Sequence, residues 1–281
     1  MVEDLTVIVV ALIGGEALDE CLRAVAGQAA TCLAVHRDGT IADGRGQTVG
    51  VADGLDIPAK RRSAVELATT PLVALFEDTI IPADGWADAV AAAFRREGVV
   101  ACGGPVIIAE SLPPQTRALT LSEYGRYNDR QPAGSVAALP GCNFAFRRDA
   151  LVEATRGSEG LVDREVFRRL VENGGKIVWA PAMAVKYGRA FPEGASLKTR
   201  FDHGRITVSL SATSPLRRTT AAAKSVLLPA VLTARTLRQA GPRQLGSAST
   251  LGWLLLQHTA WAAGEFVGAL MPRSQSVDQW R

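Results

Sequence analysis

Short apolar runs alternate with stretches of helical spacing through the first two thirds of the chain. Residues 5–13 form a β-branched apolar run, after which Leu18, Leu22 and Val25 fall on one helical face. Residues 71–76 form a second continuous run, of the kind that buries a strand on both faces. This alternation predicts an α/β fold, in which a mostly parallel, Rossmann-like sheet is flanked by helices.

The same patterns predict the remaining elements of this region. Strands are expected near 33–35, 48–52, 99–108, 140–148 and 176–179. Helices are expected near 16–28, 60–68 and 85–96, from 149 onward and from 163 onward. Between 109 and 140 the pattern is irregular and contains Pro113-Pro114, and a stretch this long indicates a substrate-facing lobe.

Two adjacent carboxylates, Glu77 and Asp78, follow directly after the apolar run 71–76. Open α/β sheets bind their ligands at the carboxyl ends of the strands. Carboxylates clustered in such a crevice repel each other unless a cation lies between them. A hard divalent ion that carries the phosphates of a substrate would satisfy them, which favours a metal-assisted transfer enzyme.

Composition narrows the class of protein. Hydrophobic residues make up 47% of the 281 residues and charged residues 21%, which is typical of a globular chain. The four cysteines and three histidines are scattered without paired spacing, so neither a disulfide framework nor a zinc site is expected. The acidic N-terminus carries no secretory pattern, and we therefore expect the active site to face the cytoplasm.

The C-terminal region is basic and apolar. Residues 196–281 carry 11 Lys or Arg and only 3 Asp or Glu, and they include the apolar stretches Ser225–Ala234 and Leu251–Met271. Basic residues beside C-terminal apolar helices favour an anionic membrane surface over nucleic acid as the partner. The longer stretch could cross a bilayer core of ~30 Å, but Glu265 interrupts it. A spanning helix, an interfacial or re-entrant hairpin and a helical oligomer interface all stay open.

Five short segments follow one another along residues 1–205. They are Cys21-Leu22 with Gln28; Asp38-Gly39-Thr40; Glu77-Asp78-Thr79 with Pro82 and Gly85-Trp86; Pro140-Gly141-Cys142-Asn143 with Arg147-Arg148 and Leu151; and Asp163 with Arg169-Leu170, Gly174-Gly175, Ile177 and Pro181. In this order they resemble the motifs of glycosyltransferase family 2, the inverting sugar transferases with a GT-A fold. The segment 264–268 is similar to a tail of membrane-associated members.

The resemblance implies a domain organisation. Residues 1–205 would form the GT-A domain, with a nucleotide-sugar half at 1–108 and an acceptor half at 109–205. Residues 206–281 would form a helical region that associates with the membrane.

The resemblance also implies roles for the acidic residues. Glu77 and Asp78 would hold Mg²⁺ or Mn²⁺, although Thr79 stands where the family has a further carboxylate; alternatively the pair caps the following helix. Asp163 would be the general base, and Glu159 and Glu165 are the alternative candidates for this role. If Asp163 has only a structural role, it is the N-cap of a helix.

Further residues would contact the donor and the acceptor. Asp38 would bind the nucleotide base or ribose, and Arg61 the diphosphate, unless the charge run around it is a solvated face. Arg200 and Arg205 would close over the diphosphate or contact lipid headgroups. Trp86 and Asn143 would line the acceptor side, or serve only in packing and in a buried turn.

These expectations converge on a membrane-associated inverting glycosyltransferase at the cytoplasmic side of the plasma membrane. It would move a sugar from a nucleotide-diphosphate donor to a hydroxyl group of a lipid-linked or cell-envelope glycan. A non-catalytic sugar-nucleotide or partner-binding protein of the same fold is the alternative. A nucleotidyltransferase is disfavoured, because Gly14-Gly15-Glu16 has no nearby basic residue. The sugar, the nucleotide and the oligomeric state stay open.

Overall fold

A computed structural model of the chain describes residues 2–158, 160–189, 195–211, 214–240 and 242–271. The chain folds as two compact units. Unit 1 comprises Met1–Ile107 and Tyr127–Arg189, and unit 2 comprises Ile108–Arg126 and Ala190–Arg281. The functional boundaries expected at 108 and 205 stay predictions.

Unit 1 is built around a large β-sheet. In chain order the strands are Val2–Val10 (β1), Ala29–Val35 (β2), Thr40–Asp43 (β3), Thr48–Val51 (β4), Leu72–Glu77 (β5), Ile80–Pro82 (β6), Val99–Gly103 (β7), Val106–Ile108 (β8), Gly134–Ser135 (β9), Asn143–Arg147 (β10), Lys176–Trp179 (β11) and Val185–Tyr187 (β12). Nine of them form one sheet in the order β4-β3-β2-β1-β5-β10-β7-β11-β9. A second sheet has the order β6-β12-β8.

The large sheet is mixed, so the expectation of a mostly parallel sheet was wrong. β1 runs parallel to β2 and β5, and β7 runs parallel to β11. β10 lies antiparallel between β5 and β7, while β3, β4 and β9 also pair antiparallel. The loops between β2, β3 and β4 are too short for a crossover, and such short loops join only antiparallel neighbours.

Helices flank this sheet. They are Glu16–Ala26 (α1), Ile57–Leu67 (α2), Trp86–Phe94 (α3), Arg148–Thr155 (α5) and Asp163–Glu172 (α6), while Pro114–Tyr124 (α4) belongs to unit 2. The Asp56 side chain caps α2 by accepting from the Ala59 N–H at 2.8 Å, and Pro58 sits in its first turn. The core is densest along the central strands, where Phe76, Phe144 and Phe146 are fully buried.

Unit 2 is helical in its described part. Its helices are Pro114–Tyr124 (α4), Ala195–Ser211 (α7), Pro215–Ser225 (α8), Leu228–Ala240 (α9), Pro242–Leu245 (α10) and Ala248–Leu270 (α11). The irregular stretch expected over 109–140 therefore contains a helix. Pro113 and Pro114 stand at its N-terminus, where a proline lacks only a hydrogen bond that the helix does not need.

The longest helix, α11, packs against α4, α7, α8 and α9. Glycines let α7 and α11 approach closely: a Cβ atom on Gly264 would overlap the carbonyl oxygen of Phe201, and one on Gly204 that of Trp261. No helix in the described ranges, α11 included, is long and apolar enough to cross a membrane. The spanning interpretation of Leu251–Met271 is thus without support.

Candidate functional site

The carboxyl ends of three neighbouring parallel strands lie level at one edge of the sheet. Val10 at the end of β1 is in register with Val35 of β2 and with Glu77 of β5. From β1 the chain crosses to β2 on one side, and from β5 it continues to the strands on the other side. The crevice between β1 and β5 is therefore a topological switch point, where open α/β sheets bind ligands.

Asp78 lies at this crevice, directly after the last residue of β5. The side chain is fully buried and accepts hydrogen bonds from the backbone N–H groups that follow β1. Leu12 N donates to Oδ1 at 2.9 Å, Ile13 N donates to Oδ2 at 3.0 Å, and Gly14 N donates to Oδ2 at 2.6 Å. A row of amides thus balances the charge of the carboxylate. These hydrogen bonds connect the end of β5 to the loop after β1.

Arg61 joins the other acidic residues of the site. From α2, its Nη2 donates to Glu77 Oε1 at 3.0 Å and to the carbonyl oxygen of Gly141 at 2.7 Å. Its Nη1 donates to Asp163 Oδ1 at 3.1 Å, so one guanidinium bridges carboxylates from β5 and from the start of α6. The Arg61 side chain is 6% exposed and also lies 5.5 Å from the Phe144 ring centroid. Arg61 therefore pairs with these carboxylates, and the diphosphate contact expected of it stays a prediction.

Asp163 combines an ionic partner with access to solvent. Its side chain keeps 31% exposure, in contrast to the buried Arg61. Burial raises the pKa of the Asp163 carboxyl above its ordinary value, and the charge and hydrogen bond of Arg61 oppose that shift. A carboxylate with a raised pKa is a stronger base than an ordinary aspartate, and the hydrogen bond from Arg61 holds this one in place.

The fallback bases differ from Asp163. Glu165 accepts from Arg169 Nε at 2.8 Å and also pairs with Arg168 on the surface of α6. Hydrogen bonds from these two arginines lower the pKa of Glu165 to about 2, which makes it a weak base. Glu159 lies outside the described residues.

The described residues do not fit the expected metal site. The oxygens of Asp78 are occupied by amides, and Glu77 is paired with a guanidinium. The hydroxyl of Thr79 is buried without a hydrogen-bond partner in the described part of the chain. Across that part, no group of three or more His, Cys, Asp or Glu side chains could hold a metal ion. In this arrangement Glu77 and Asp78 do not form the metal-binding pair that the sequence predicts.

Trp86 and Asn143 form a buried pair. Trp86 Nε1 donates to Asn143 Oδ1 at 3.0 Å, and Asn143 Nδ2 donates to the carbonyl oxygens of Gly104 at 3.1 Å and Met183 at 2.7 Å. Neither side chain exceeds 1% exposure. These hydrogen bonds hold β10 against two loops, and the acceptor contact expected of Trp86 and Asn143 stays a prediction.

Asp38 is exposed in the turn after β2, at the same sheet edge. Its Oδ1 accepts from the Thr40 N–H at 2.9 Å, and this hydrogen bond lowers the pKa of the Asp38 carboxyl. Nearby, Lys60 Nζ donates to the carbonyl oxygen of Arg37 at 2.7 Å and fixes the turn to α2. The nucleotide contact expected of Asp38 stays a prediction.

Arg200 and Arg205 belong to α7 of unit 2. The Arg200 guanidinium lies 4.4 Å from the ring centroid of Trp261, and its Nη1 is 3.5 Å from Glu123 Oε1. Burial lowers the pKa of Arg200, while Glu123 opposes that shift. Arg205 Nη2 donates to the carbonyl oxygen of Met271 at 3.5 Å. The expected contacts of both arginines with a diphosphate stay predictions.

The fold is shared with solved glycosyltransferases. A mannosyltransferase from Pyrobaculum calidifontis, PcManGT, solved with GDP-Man and Mn²⁺, aligns with a TM-score of 0.53 and 16% identity over 96% of this chain and 88% of its own. GalNAc-T7, solved with UDP, GalNAc and Mn²⁺, aligns with a TM-score of 0.51 and 11% identity. That alignment covers 75% of this chain and half of GalNAc-T7. No family profile and no curated protein sequence matches the chain.

Proposed function

We propose that this protein is an inverting glycosyltransferase of the family 2 type. It moves a sugar from a nucleotide-diphosphate donor to a hydroxyl group of a lipid-linked or cell-envelope glycan. The observation that carries the proposal is Asp163, a partly exposed carboxylate of raised pKa that Arg61 holds beside the switch point of the sheet. The likeness to two glycosyltransferases that were solved with nucleotides supports the same chemistry.

Asp163, Arg61 and Asp78 have separate roles in the proposed reaction. Asp163 accepts the proton of the acceptor hydroxyl as that oxygen attacks the anomeric carbon, in a single displacement that inverts the configuration. Arg61 keeps the carboxylate ionised and oriented. The amides of residues 12–14 and the Asp78 carboxylate keep the loop after β1 in place, next to the crevice in which the donor would bind.

A divalent ion, Mg²⁺ or Mn²⁺, remains part of the proposal as a companion of the donor, since both neighbours contain Mn²⁺. Such an ion would neutralise the charge that develops on the leaving diphosphate. Glu77 and Asp78 do not fit a metal site, so the donor diphosphate would hold the ion.

A donor panel tests the function. The full-length protein is titrated calorimetrically with nucleoside diphosphates and their sugar conjugates, with and without Mn²⁺, and each donor that binds is then assayed for hydrolysis and transfer. We expect one nucleotide to bind and its sugar conjugate to be turned over. Binding without any turnover favours the non-catalytic alternative, which the buried Asp78 carboxylate and the threonine at position 79 motivate. Failure of every donor to bind contradicts both functions.

The pH dependence of kcat/KM follows from Asp163. The base must be ionised, so we expect the rate to fall as the pH drops through the pKa of Asp163, which lies above that of an ordinary aspartate. Because Arg61 lowers this pKa, its replacement by methionine should move the acid limb of the plot of kcat/KM against pH to higher pH. The neighbouring replacement Arg62→Met removes the same charge from a surface pair and should leave the limb in place. A limb that moves to lower pH in Arg61→Met would contradict the assignment.

Gly141 provides a steric test of the position of the base. A Cβ atom on Gly141 would lie 2.8 Å from Asp163 Oδ2, so Gly141→Ala should push the carboxylate aside. We expect turnover to fall by about 100-fold, since a small displacement of a reacting group has effects of this size. The control is Gly134→Ala, where a Cβ atom meets nothing within 4 Å. Equal activity of the two variants in steady-state assays would contradict a catalytic position for Asp163.

For location, we propose the cytoplasmic side of the plasma membrane, with unit 2 on an anionic lipid surface. Large apolar side chains are exposed at α8, α9 and their junction: Leu216 at 78%, Val226 at 73%, Leu227 at 67% and Val231 at 54%. Exposed basic residues accompany them in the same helices, namely Arg217, Lys224, Arg235 and Arg238. This combination supports binding to the interface of a membrane with anionic lipids.

Vesicle sedimentation tests this location. The double variant Arg217→Gln, Lys224→Gln should bind vesicles of phosphatidylglycerol and phosphatidylcholine about tenfold more weakly than the unmodified protein. The control variant Arg95→Gln, Arg96→Gln removes two exposed charges from unit 1 and should bind normally. Equal binding of both variants, or no binding by the unmodified protein, would rule out the proposed surface.

A further inference from the structure

The acidic site of unit 1 already contains a cation. The guanidinium of Arg61 lies 3.0 Å from Glu77 Oε1 and 3.1 Å from Asp163 Oδ1, and its side chain is 6% exposed. The burial of the pair with Glu77 makes the charge of Arg61 effective, because little water screens it. Glu77 and Asp163 therefore share one positive charge that the protein itself supplies.

Asp78 and Thr79 do not supply a replacement ligand set. The Asp78 carboxylate is bound by the amides of residues 12–14, and those bonds would have to break before a metal ion could reach its oxygens. The Thr79 hydroxyl is a neutral and weak ligand for a hard divalent ion. A metal ion at Glu77 would in addition meet the positive charge of Arg61, which disfavours it.

We infer that Arg61 takes the place of a protein-bound divalent ion at this acidic site. It balances Glu77 and positions Asp163, and the protein without nucleotide has no metal site at residues 77–79. Any ion used in sugar transfer then arrives bound to the donor diphosphate, a consequence that rests on the proposed function. The balance of Glu77 by Arg61 and the lack of a metal site at residues 77–79 concern the free protein alone.

Binding of Mn²⁺ to the free protein tests this inference. The six-line electron paramagnetic resonance signal of hydrated Mn²⁺ loses amplitude when the ion binds to protein. We expect the metal-stripped, full-length protein to leave the signal unchanged at equimolar Mn²⁺. In Arg61→Met, Glu77 and Asp163 lose their shared cation, and Mn²⁺ affinity should rise by about tenfold or more. Arg61→Lys restores a positive charge and should again leave the signal unchanged.

Two controls test whether Mn²⁺ binding by Arg61→Met is caused by the loss of charge at this position. Arg62→Met removes a positive charge one residue further along α2, where the partner is the surface residue Glu66, and should not create Mn²⁺ binding. Circular dichroism verifies that each variant is folded. Stoichiometric binding by the unmodified protein that Glu77→Gln abolishes would overturn the inference, as would a folded Arg61→Met that binds no Mn²⁺.

A second measurement on the unmodified protein covers the case in which Arg61→Met does not fold. Its thermal midpoint in Mn²⁺ should equal that in a chelator, because a ligand that does not bind the native state cannot stabilise it. A higher midpoint in Mn²⁺, lost in Glu77→Gln, would overturn the inference. No nucleotide is present in either measurement, so the outcome is independent of the donor panel that tests the proposed function.

Discussion

Asp163→Asn is expected to lower kcat by about 100-fold to 10,000-fold with the identified donor and acceptor, the contribution usual for a general base. Asparagine keeps an oxygen that can accept from Arg61 Nη1, so the start of α6 should stay in place. It cannot take up the proton of the acceptor hydroxyl. Nucleotide affinity should change little, because the loss affects the reaction and not the binding of the donor.

Steady-state kinetics and calorimetry on the same preparation check this result. Glu165→Gln is the comparison, since Glu165 lies two residues away in the same helix and its carboxylate is engaged by Arg168 and Arg169. We expect Glu165→Gln to keep near-normal turnover. Near-normal turnover of Asp163→Asn would remove Asp163 as the base, and a selective loss in Glu165→Gln would transfer the role to that residue.

The sequence predicts the order of strands and helices around the site well, because a strand that is buried on both faces has a continuous apolar run. The run at 71–76 is observed as β5, all of whose residues are buried. Strand direction is not encoded in such a run. The strand expected near 140–148 is observed as β10, but its antiparallel direction between β5 and β7 was not predicted. The helix α4 was missed for another reason: two prolines look like an interruption unless their position in the first turn is known.

The ionic role of Arg61 has a signal in the sequence of α2. Pro58, Arg61 and Val65 share one face of α2, and all three are buried. A charged residue in the middle of an apolar helical face indicates a buried ionic partner. The identity of the partners could not be predicted, since Glu77 and Asp163 come from distant segments that only the folded sheet brings together.

The role of Asp78 could not be predicted for a related reason. Its partners are backbone amides of residues 12–14, and amides carry no sequence signature. Their alignment depends on the register that places Val10 beside Glu77. An acidic pair at the end of a strand looks the same whether it binds a metal ion or the loop after the neighbouring strand. Sequence alone therefore favoured the more familiar of the two alternatives.

Asp78→Asn is expected to destabilise the protein by about 3 kcal/mol, since a charged acceptor of several buried hydrogen bonds is lost. An asparagine amide group would place its own N–H donors against those of Ile13 or Gly14, whichever way the side chain is oriented. Denaturant unfolding in the presence of a chelator measures the effect. The control is Asp38→Asn in the neighbouring exposed turn, where one hydrogen bond to Thr40 is affected and a much smaller change is expected.

The same variant separates the two roles of Asp78 because the chelator removes any metal. If the carboxylate acted as a metal ligand, its charge would be unsatisfied in the metal-free protein, and Asp78→Asn would leave stability unchanged or raise it. If it binds the amides of residues 12–14, the loss of stability appears without any metal present. A destabilisation that appears only when Mn²⁺ is added would contradict the amide role and restore Asp78 as a ligand.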